Sequence, residues 1–98
     1  MSAVPKISAI VPCYNEEMWV SKVVCSFLAC PAVSEVIAVD DGSTDNTLKI
    51  LKRFNNKIKV VSYKKNRGKG YAMAEGIKKA KGEMRQMRIV KNKTEIAA

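Results

Sequence analysis

The sequence predicts an α/β fold of the Rossmann-like kind, with three α/β/α layers and a mostly parallel sheet. Three times in succession, a short apolar run rich in β-branched residues precedes a polar loop and a segment with helical periodicity. Strands that alternate with helices pair in parallel through right-handed crossovers, so all three strand-to-helix loops are expected at one edge of the sheet. A chain of 98 residues can bury one modest core, which limits the prediction to a single domain.

The first repeat begins with the apolar run KISAIVP at residues 6–12, which is typical of a buried parallel strand. In the following loop, CYNEE, the residues Glu16 and Glu17 would fit the first turn of a helix, where the macrodipole favours negative charge. A helix is predicted next because apolar residues form one stripe, and Pro31 ends it. The stripe contains Trp19, Val20, Val23, Val24, Phe27 and Leu28.

The second repeat has its strand at residues 35–40, EVIAVD, followed by the loop DGSTDNT. This loop offers Ser43, Thr44 and Asp45 as helix N-caps, and we interpret Asp45 as a cap rather than a ligand. The helix is predicted to turn three apolar residues toward the core. They are Leu48, Leu51 and Phe54.

The third repeat has its strand at residues 57–63, KIKVVSY, and its loop is KKNRGKG. A helix follows, and Gly82 is placed to end it in a left-handed turn. The domain is therefore predicted to span residues 1–83, with residues 84–98 as an atypical basic tail or a poor fourth strand. The helix face predicted to lie on the sheet contains Ala72, Met73, Gly76, Ile77 and Ala80.

Positive charge is concentrated in the second half of the chain. Residues 1–51 carry three basic and six acidic side chains, whereas residues 52–98 carry fifteen basic and three acidic ones, for a net charge of +9. Such a half suits nucleotide phosphates, an anionic membrane surface or nucleic acid, although most of these lysines are expected to be simply solvated. Specific nucleic-acid binding is disfavoured, because the six aromatic residues include no RNA-reading motif and no recognition helix is evident.

The three cysteines, Cys13, Cys25 and Cys30, show no CxxC spacing, and the chain has no histidine to complete a zinc site or activate a thiol. We interpret them as small, buried, reduced residues. The N-terminus does not show the pattern of a secretion signal, and no apolar run is long enough to cross a bilayer. We therefore expect a cytoplasmic protein, with peripheral contact at the cytoplasmic face of a membrane as an open alternative.

Unusual polar residues follow each of the first two predicted strands, at the sheet edge where open α/β folds bind ligands. Tyr14, two residues after Pro12, can either stack on a flat base or pack against the next helix. Asp40 and Asp41 can accept hydrogen bonds from a base or from ribose hydroxyls, and Gly42 permits close approach of the backbone.

The third loop combines Asn66, Gly68 and Lys69 just ahead of a helix N-terminus, which is a setting suited to phosphate. The loop is not a GxGxxG dinucleotide fingerprint, because Met73 stands at the third glycine position and the loop follows the third strand. No GxxxxGK[ST] motif is present, so a P-loop nucleotide hydrolase is not supported.

Three strings carry a resemblance to a known family: IVPCYNEE at residues 10–17, VDDGSTD at residues 39–45 and NRGKG at residues 66–70. In this order and at these separations, they resemble the N-terminal, nucleotide-binding half of family 2 glycosyltransferases with the GT-A fold. The match runs from about residue 6 to residue 83. The NRGKG string is also similar to the branch that glycosylates polyprenyl or dolichyl phosphates.

The resemblance implies nucleotide contacts rather than catalytic residues. Tyr14 and its neighbouring proline would border a uracil or guanine ring, Glu16 would lie near the ribose, and Asp41 would bond the base. Asp40 would support that loop, while Lys69 and its loop would close over the nucleotide. The predicted nucleotide-binding residues are Pro12, Tyr14, Glu16, Asp40, Asp41, Gly42, Asn66, Gly68 and Lys69.

By resemblance, the reaction transfers a sugar from a UDP- or GDP-sugar to an acceptor by direct displacement with inversion. A divalent metal, Mn or Mg, held by a DxD-type motif would neutralise the leaving diphosphate, and a later carboxylate would act as general base. This sequence departs from that pattern, since it continues MRQMRIVK after residue 83 and no aspartate follows Asp45. We therefore assign no catalytic or metal-binding residue.

The chain is accordingly expected to bind a nucleotide-sugar without completing the transfer. One alternative is a subunit whose missing half comes from a second copy or another chain, paired across an exposed sheet edge. The other is a protein that uses its basic half on nucleic acid or a membrane surface.

Overall fold

Three parallel strands organise the chain. The computed structural model describes residues 7–80, and within them the sheet order is β1 (Ile7–Cys13), β2 (Val33–Asp41) and β3 (Lys59–Tyr63). Both strand pairs are parallel, which confirms the predicted α/β class. Strands β1 and β2 are largely continuous runs of buried residues, as expected for strands covered on both faces.

Helices connect the strands at the predicted places. They are α1 (Val20–Leu28), α2 (Thr47–Lys52) and α3 (Lys69–Lys79). The third strand begins two residues later than predicted, because a 3-10 turn occupies Asn55–Lys57. The helix end predicted at Gly82 and the tail at residues 84–98 lie outside the described residues.

Different helices cover the two faces of the sheet. Val24 of α1 and Leu51 of α2 are fully buried in one cluster with Val11 of β1. Ala72 of α3 is buried in a second cluster, with Ile10 among its members. Because neighbouring strand residues point to opposite faces, the two clusters lie on opposite sides of the sheet. Each cluster is packed between the sheet and the helices that cover it, as in an α/β/α sandwich.

The predicted core faces of the helices are wrong at two positions. Leu28 is 38% exposed and Ile77 is 37% exposed. Each of them directly follows a buried residue of its helix, and successive helical residues are about 100° apart around the axis. The buried stripe therefore leaves these side chains at its margin.

Helix α3 lies very close to the sheet at Gly76. A Cβ atom at this position would be 2.4 Å from Cγ2 of Ile10 and 3.2 Å from Cγ2 of Val39. Real side chains do not approach so closely, so only glycine allows the backbone of α3 to rest on β1 and β2.

Cysteine burial was predicted correctly at one of three positions. Cys13 is buried on β1, whereas Cys25 and Cys30 are exposed, so the prediction is wrong for these two. Cys25 lies off the buried face of α1, and Cys30 lies beyond its end. All three thiols are free. Among residues 7–80, none of the helices has the length and apolarity needed to span a bilayer.

Candidate functional site

A cleft of about 290 Å³ lies where the strand-to-helix loops of β1, β2 and β3 converge. It brings together seven of the nine residues that the sequence predicted and adds Cys13, which was not predicted as a site residue. Asp40 and Gly42 do not line it. The lining residues are Pro12, Cys13, Tyr14, Glu16, Asp41, Asn66, Gly68 and Lys69.

Tyr14 is 46% exposed in the lining of this cleft. Of the two placements that the sequence left open, the structure therefore favours an accessible ring over one packed against the helix. Such a ring presents a flat apolar face on which a base can stack.

Asn15 ties the first loop to the second, a role that the sequence analysis missed. Its Oδ1 atom accepts a hydrogen bond from the backbone N–H of Thr44 at 2.8 Å, and its own N–H donates to Oγ of Ser43 at 2.9 Å. Asn15 has a positive φ of 51°, a conformation that asparagine tolerates better than most residues. That tolerance is the signal that the sequence offered, although it does not identify partners some 30 residues away.

Asp45 acts at the start of α2, but the N-cap residue is Asn46, which forms no side-chain cap hydrogen bond, so the predicted N-cap is wrong by one residue. Its Oδ1 atom accepts from the backbone N–H of Thr47 at 2.9 Å, and Oδ2 accepts from the N–H of Glu17 at 3.3 Å. Slight burial opposes ionisation, but these hydrogen bonds outweigh it and lower the pKa of Asp45. The other two cap candidates, Ser43 and Thr44, bond instead to the first loop.

The placement of Glu16 and Glu17 in the first helical turn is wrong, because α1 begins only at Val20. Glu16 lies in a turn instead. Its backbone carbonyl accepts hydrogen bonds from the N–H groups of Trp19 at 3.0 Å and Val20 at 2.9 Å. Its own N–H donates to Oγ1 of the buried Thr47 at 2.9 Å. The second loop therefore holds Glu16 at the cleft.

Asp41 is the most heavily bonded side chain of the cleft. Only 4% of it is exposed, and its carboxylate accepts from the backbone N–H of Arg67 at 2.8 Å and of Gly68 at 3.1 Å. The Nδ2 atom of Asn66 donates to Oδ2 at 3.1 Å and to the Asp41 carbonyl at 3.1 Å. The carboxylate thus holds the third loop against the end of β2.

Gly42 allows the third loop to pack directly against the end of β2. Its φ is 72°, and a Cβ atom here would lie 2.5 Å from the backbone nitrogen of Asn66 and 2.7 Å from the carbonyl carbon of Lys65. A glycine is therefore required both for the backbone conformation and for the close approach of the third loop.

Asp40 lies on the opposite side of the sheet from Asp41, because side chains alternate along a strand. It is 2% exposed, its strand partner is Cys13, and its Oδ1 atom has no hydrogen-bond partner within residues 7–80. Burial, followed by the charges of Asp40 and Glu16, raises the pKa of the Cys13 thiol far above its ordinary value. This thiol is therefore protonated and unsuited to nucleophilic chemistry.

An aromatic and cationic group flanks the third loop. The Arg67 guanidinium lies 5.4 Å from the ring centroid of Tyr71, and Tyr71 meets Tyr63 edge to face at 5.2 Å. Lys69 supplies a positive charge in the lining of the cleft itself. The cleft consequently combines an accessible ring, a carboxylate and a cation.

Residues 7–80 do not fit the divalent metal that the resemblance implies. They contain no group of three or more acidic, histidine or cysteine side chains that could hold a metal ion. Adjacent Asp40 and Asp41 point to opposite faces, and both oxygens of Asp41 already accept hydrogen bonds. We assign these residues no metal-dependent step.

The sequence is similar to a glycosyltransferase family and to individual sugar-polymer and sugar-lipid enzymes named below. The sequence profile of glycosyl transferase family 2 matches residues 8–89. The poly-beta-1,6-N-acetyl-D-glucosamine synthase of Staphylococcus epidermidis is 41% identical over 80 residues, which cover 79% of this chain and 19% of that protein. The human dolichyl-phosphate beta-glucosyltransferase is 36% identical over 96 residues, which cover 84% of this chain and 30% of that protein.

Solved structures of glycosyltransferases also match the fold of this chain. TarS residues 1–349 from Staphylococcus aureus, in complex with UDP-GlcNAc, matches with a TM-score of 0.74 at 36% identity, covering 86% of this chain and 26% of that one. Glucosyl-3-phosphoglycerate synthase from Mycobacterium tuberculosis, in complex with Mn²⁺, UDP and glucosyl-3-phosphoglycerate, matches with a TM-score of 0.69 at 27% identity, covering 88% of this chain and 33% of that one. The chain thus spans a third or less of the length of these relatives. It belongs to glycosyl transferase family 2, and it corresponds to the N-terminal part of the GT-A fold.

Proposed function

We propose that this chain binds the nucleotide of a UDP- or GDP-sugar in the cleft, as the donor-binding half of a glycosyltransferase. The observation that carries this proposal is the convergence of all three strand-to-helix loops on one cleft. Tyr14 offers a face for the base, Asp41 an acceptor for a base N–H, and Lys69 a charge for phosphate. The relatives support it, since TarS and glucosyl-3-phosphoglycerate synthase are solved with UDP-GlcNAc and with UDP.

The transfer itself is a proposal for the whole protein. An acceptor oxygen would form a bond to the anomeric carbon from the face opposite the nucleotide, the bond to the diphosphate would break, and the configuration would invert. The residues described here bind and orient the donor, and we assign none of them as the general base. Binding without turnover is therefore the activity that we propose for this chain alone.

Calorimetric titration of the purified chain with UDP, GDP and ADP, each with and without manganese, tests the proposal. Saturable binding of UDP or GDP is expected. Tyr14→Ala should weaken it by about 1–3 kcal/mol, the value of a base stacked on an aromatic ring, whereas Tyr14→Phe should retain most of the affinity. The matched control is Tyr71→Ala, which removes an equally exposed ring that does not line the cleft. Equal affinities for all three variants would exclude stacking on Tyr14.

Assembly with a second copy or a complementing chain is a further proposal. The outer edge of β1 has no strand partner among residues 7–80, and an open edge offers unpaired backbone groups to another strand. Sedimentation at micromolar concentration should then show a species heavier than the 10.8 kDa chain. A strictly monomeric chain would exclude self-assembly, and only assembly with a different partner chain would then remain as a proposal.

Peripheral membrane contact also remains a proposal, together with the cytoplasmic location. Exposed cations follow one another along the third loop, at Lys64, Lys65, Arg67 and Lys69, where they can meet anionic head groups. Co-sedimentation with vesicles containing phosphatidylserine, compared with neutral phosphatidylcholine vesicles, tests this contact. Equal recovery with both vesicle types would count against it.

A further inference from the structure

We propose that a second groove, between α2 and the loop before α1, docks a segment of a partner polypeptide in which acidic side chains flank an apolar one. The groove has a volume of about 350 Å³ and shares no lining residue with the proposed nucleotide cleft. The inference is therefore independent of nucleotide binding. The lining residues are Glu17, Met18, Asn46, Lys49, Ile50 and Arg53.

One wall of this groove is a single face of α2 and the residues that flank it. Asn46, Lys49, Ile50 and Arg53 are spaced i, i+3, i+4 and i+7, so they lie on the same side of the helix. Ile50 is half-buried and packs against the core, whereas Lys49 and Arg53 are exposed. This wall thus has an apolar floor with two cations on its outer side.

The other wall is formed by Glu17 and Met18, in the loop before α1. Two hydrogen bonds tie this loop to the start of α2. The N–H of Asn46 donates to Oε1 of Glu17 at 2.9 Å, and the N–H of Glu17 donates to Oδ2 of Asp45 at 3.3 Å. The two walls are therefore held together by the chain itself, and the groove is formed without a ligand.

Met18 presents the apolar contact of the loop wall. It is 80% exposed, more than any other large apolar side chain within residues 7–80. One exposed apolar side chain is ordinary, but Met18 shares its groove with Ile50 and with Arg53. Methionine adapts its shape to different partners, and methionine and arginine are both enriched in protein interfaces. This composition favours contact with a protein chain.

The charges of the groove indicate which kind of chain. Lys49 and Arg53 form no salt bridge within residues 7–80, where both salt bridges join other residues. They can therefore pair with carboxylates of a ligand. Glu17 places a negative charge on the opposite wall, which disfavours a membrane surface of uniformly negative charge. A polypeptide satisfies both walls, because it offers acidic side chains to the cations and N–H groups to Glu17.

Titration of the full chain, labelled with ¹³C at the methionine methyl groups, with a short blocked peptide in which glutamate flanks leucine tests the proposal. The Met18 methyl resonance, identified by its loss in Met18→Leu, should shift and saturate. The same peptide with glutamine in place of glutamate should bind at least about threefold more weakly, since it lacks the two exposed ion pairs. Equal affinities for the two peptides would overturn the proposed role of the cations.

Two double variants provide matched controls. Lys49→Gln with Arg53→Gln removes both cations of the groove, and it should weaken binding of the acidic peptide at least about threefold. Lys52→Gln with Lys57→Gln removes the same charge from exposed residues of α2 and of the 3-10 turn after it, neither of which lines the groove. This second variant should change the affinity by less than about twofold. Equal losses in both variants would show that net charge, rather than the groove, attracts the peptide.

Absence of a saturable Met18 shift with the acidic peptide would overturn the inference. A Met18 response to vesicles containing phosphatidylserine, without a response to the peptide, would replace the partner polypeptide with a membrane surface. Failure of the chain to bind UDP or GDP would remove the proposed function and leave this inference standing, because the two sites have no lining residue in common.

Discussion

The carboxylate of Asp41 and the backbone N–H of Arg67 form a 2.8 Å hydrogen bond between the end of β2 and the loop before α3. The same carboxylate lines the cleft. One side chain therefore both holds the third loop and lines the cleft in which we propose that the nucleotide binds.

Replacing Asp41 with asparagine should weaken both loop attachment and nucleotide binding. The amide would present a donor to backbone N–H groups that now meet an acceptor, and hydrogen bonds to a charged group contribute about 1.5–3 kcal/mol. We expect the free energy of unfolding to fall by a similar amount in urea denaturation. Glu75→Gln is the control, since the Glu75 side chain forms an exposed i,i+3 ion pair with Lys78 at 3.1 Å. Equal stability of the two variants would contradict this role for Asp41.

Gly42→Ala should destabilise the protein. Its Cβ would meet backbone atoms at 2.5 and 2.7 Å, and the left-handed conformation costs a non-glycine residue about 1–2 kcal/mol before any clash. Gly70→Ala, on the first turn of α3 with nothing within 4 Å of the added Cβ, should instead be neutral or stabilising by up to about 1 kcal/mol. Thermal unfolding of both variants measures the difference. Similar melting temperatures would argue against tight packing at Gly42.

The Asp45 carboxylate should make stability depend on acid pH. Because its pKa is lower in the folded chain, it contributes stability above the ordinary aspartate pKa of about 3.9, and this contribution is lost as pH falls through the folded pKa. Asp45→Asn keeps an acceptor but does not titrate. Wild type should exceed this variant by up to about 1 kcal/mol near neutral pH, and the two should converge in acid. A difference that stays constant down to pH 2 would contradict the assignment.

The three thiols should react at different rates. Cys25 and Cys30 are exposed, whereas burial keeps Cys13 protonated and inaccessible. Iodoacetamide at pH 8 should modify two cysteines in the native chain and the third only after unfolding, as followed by peptide mass spectrometry. Rapid modification of Cys13 in the native state would show that β1 opens readily.

Several features followed from local sequence because they depend on neighbours along the chain. Periodicity located all three strands and helices, and the motif residues came to one cleft because parallel strands end at the same sheet edge. Errors arose where packing of a helix on the sheet decides burial, as at the exposed Ile77 beside the buried Gly76. The burial of Thr47, whose hydroxyl accepts from the N–H of Glu16 across 31 residues, also depends on the tertiary structure.

The α/β class and the polar character of the three loops are properties of the sequence alone, because apolar period and turn chemistry act over a few residues. The different surroundings of the adjacent residues Asp40 and Asp41 are decided by the tertiary structure. Strand alternation sends them to opposite faces, one beside Cys13 and the other toward the third loop. Only the folded chain shows that Asp41 already accepts three loop hydrogen bonds, since its partners lie 25 to 27 residues away.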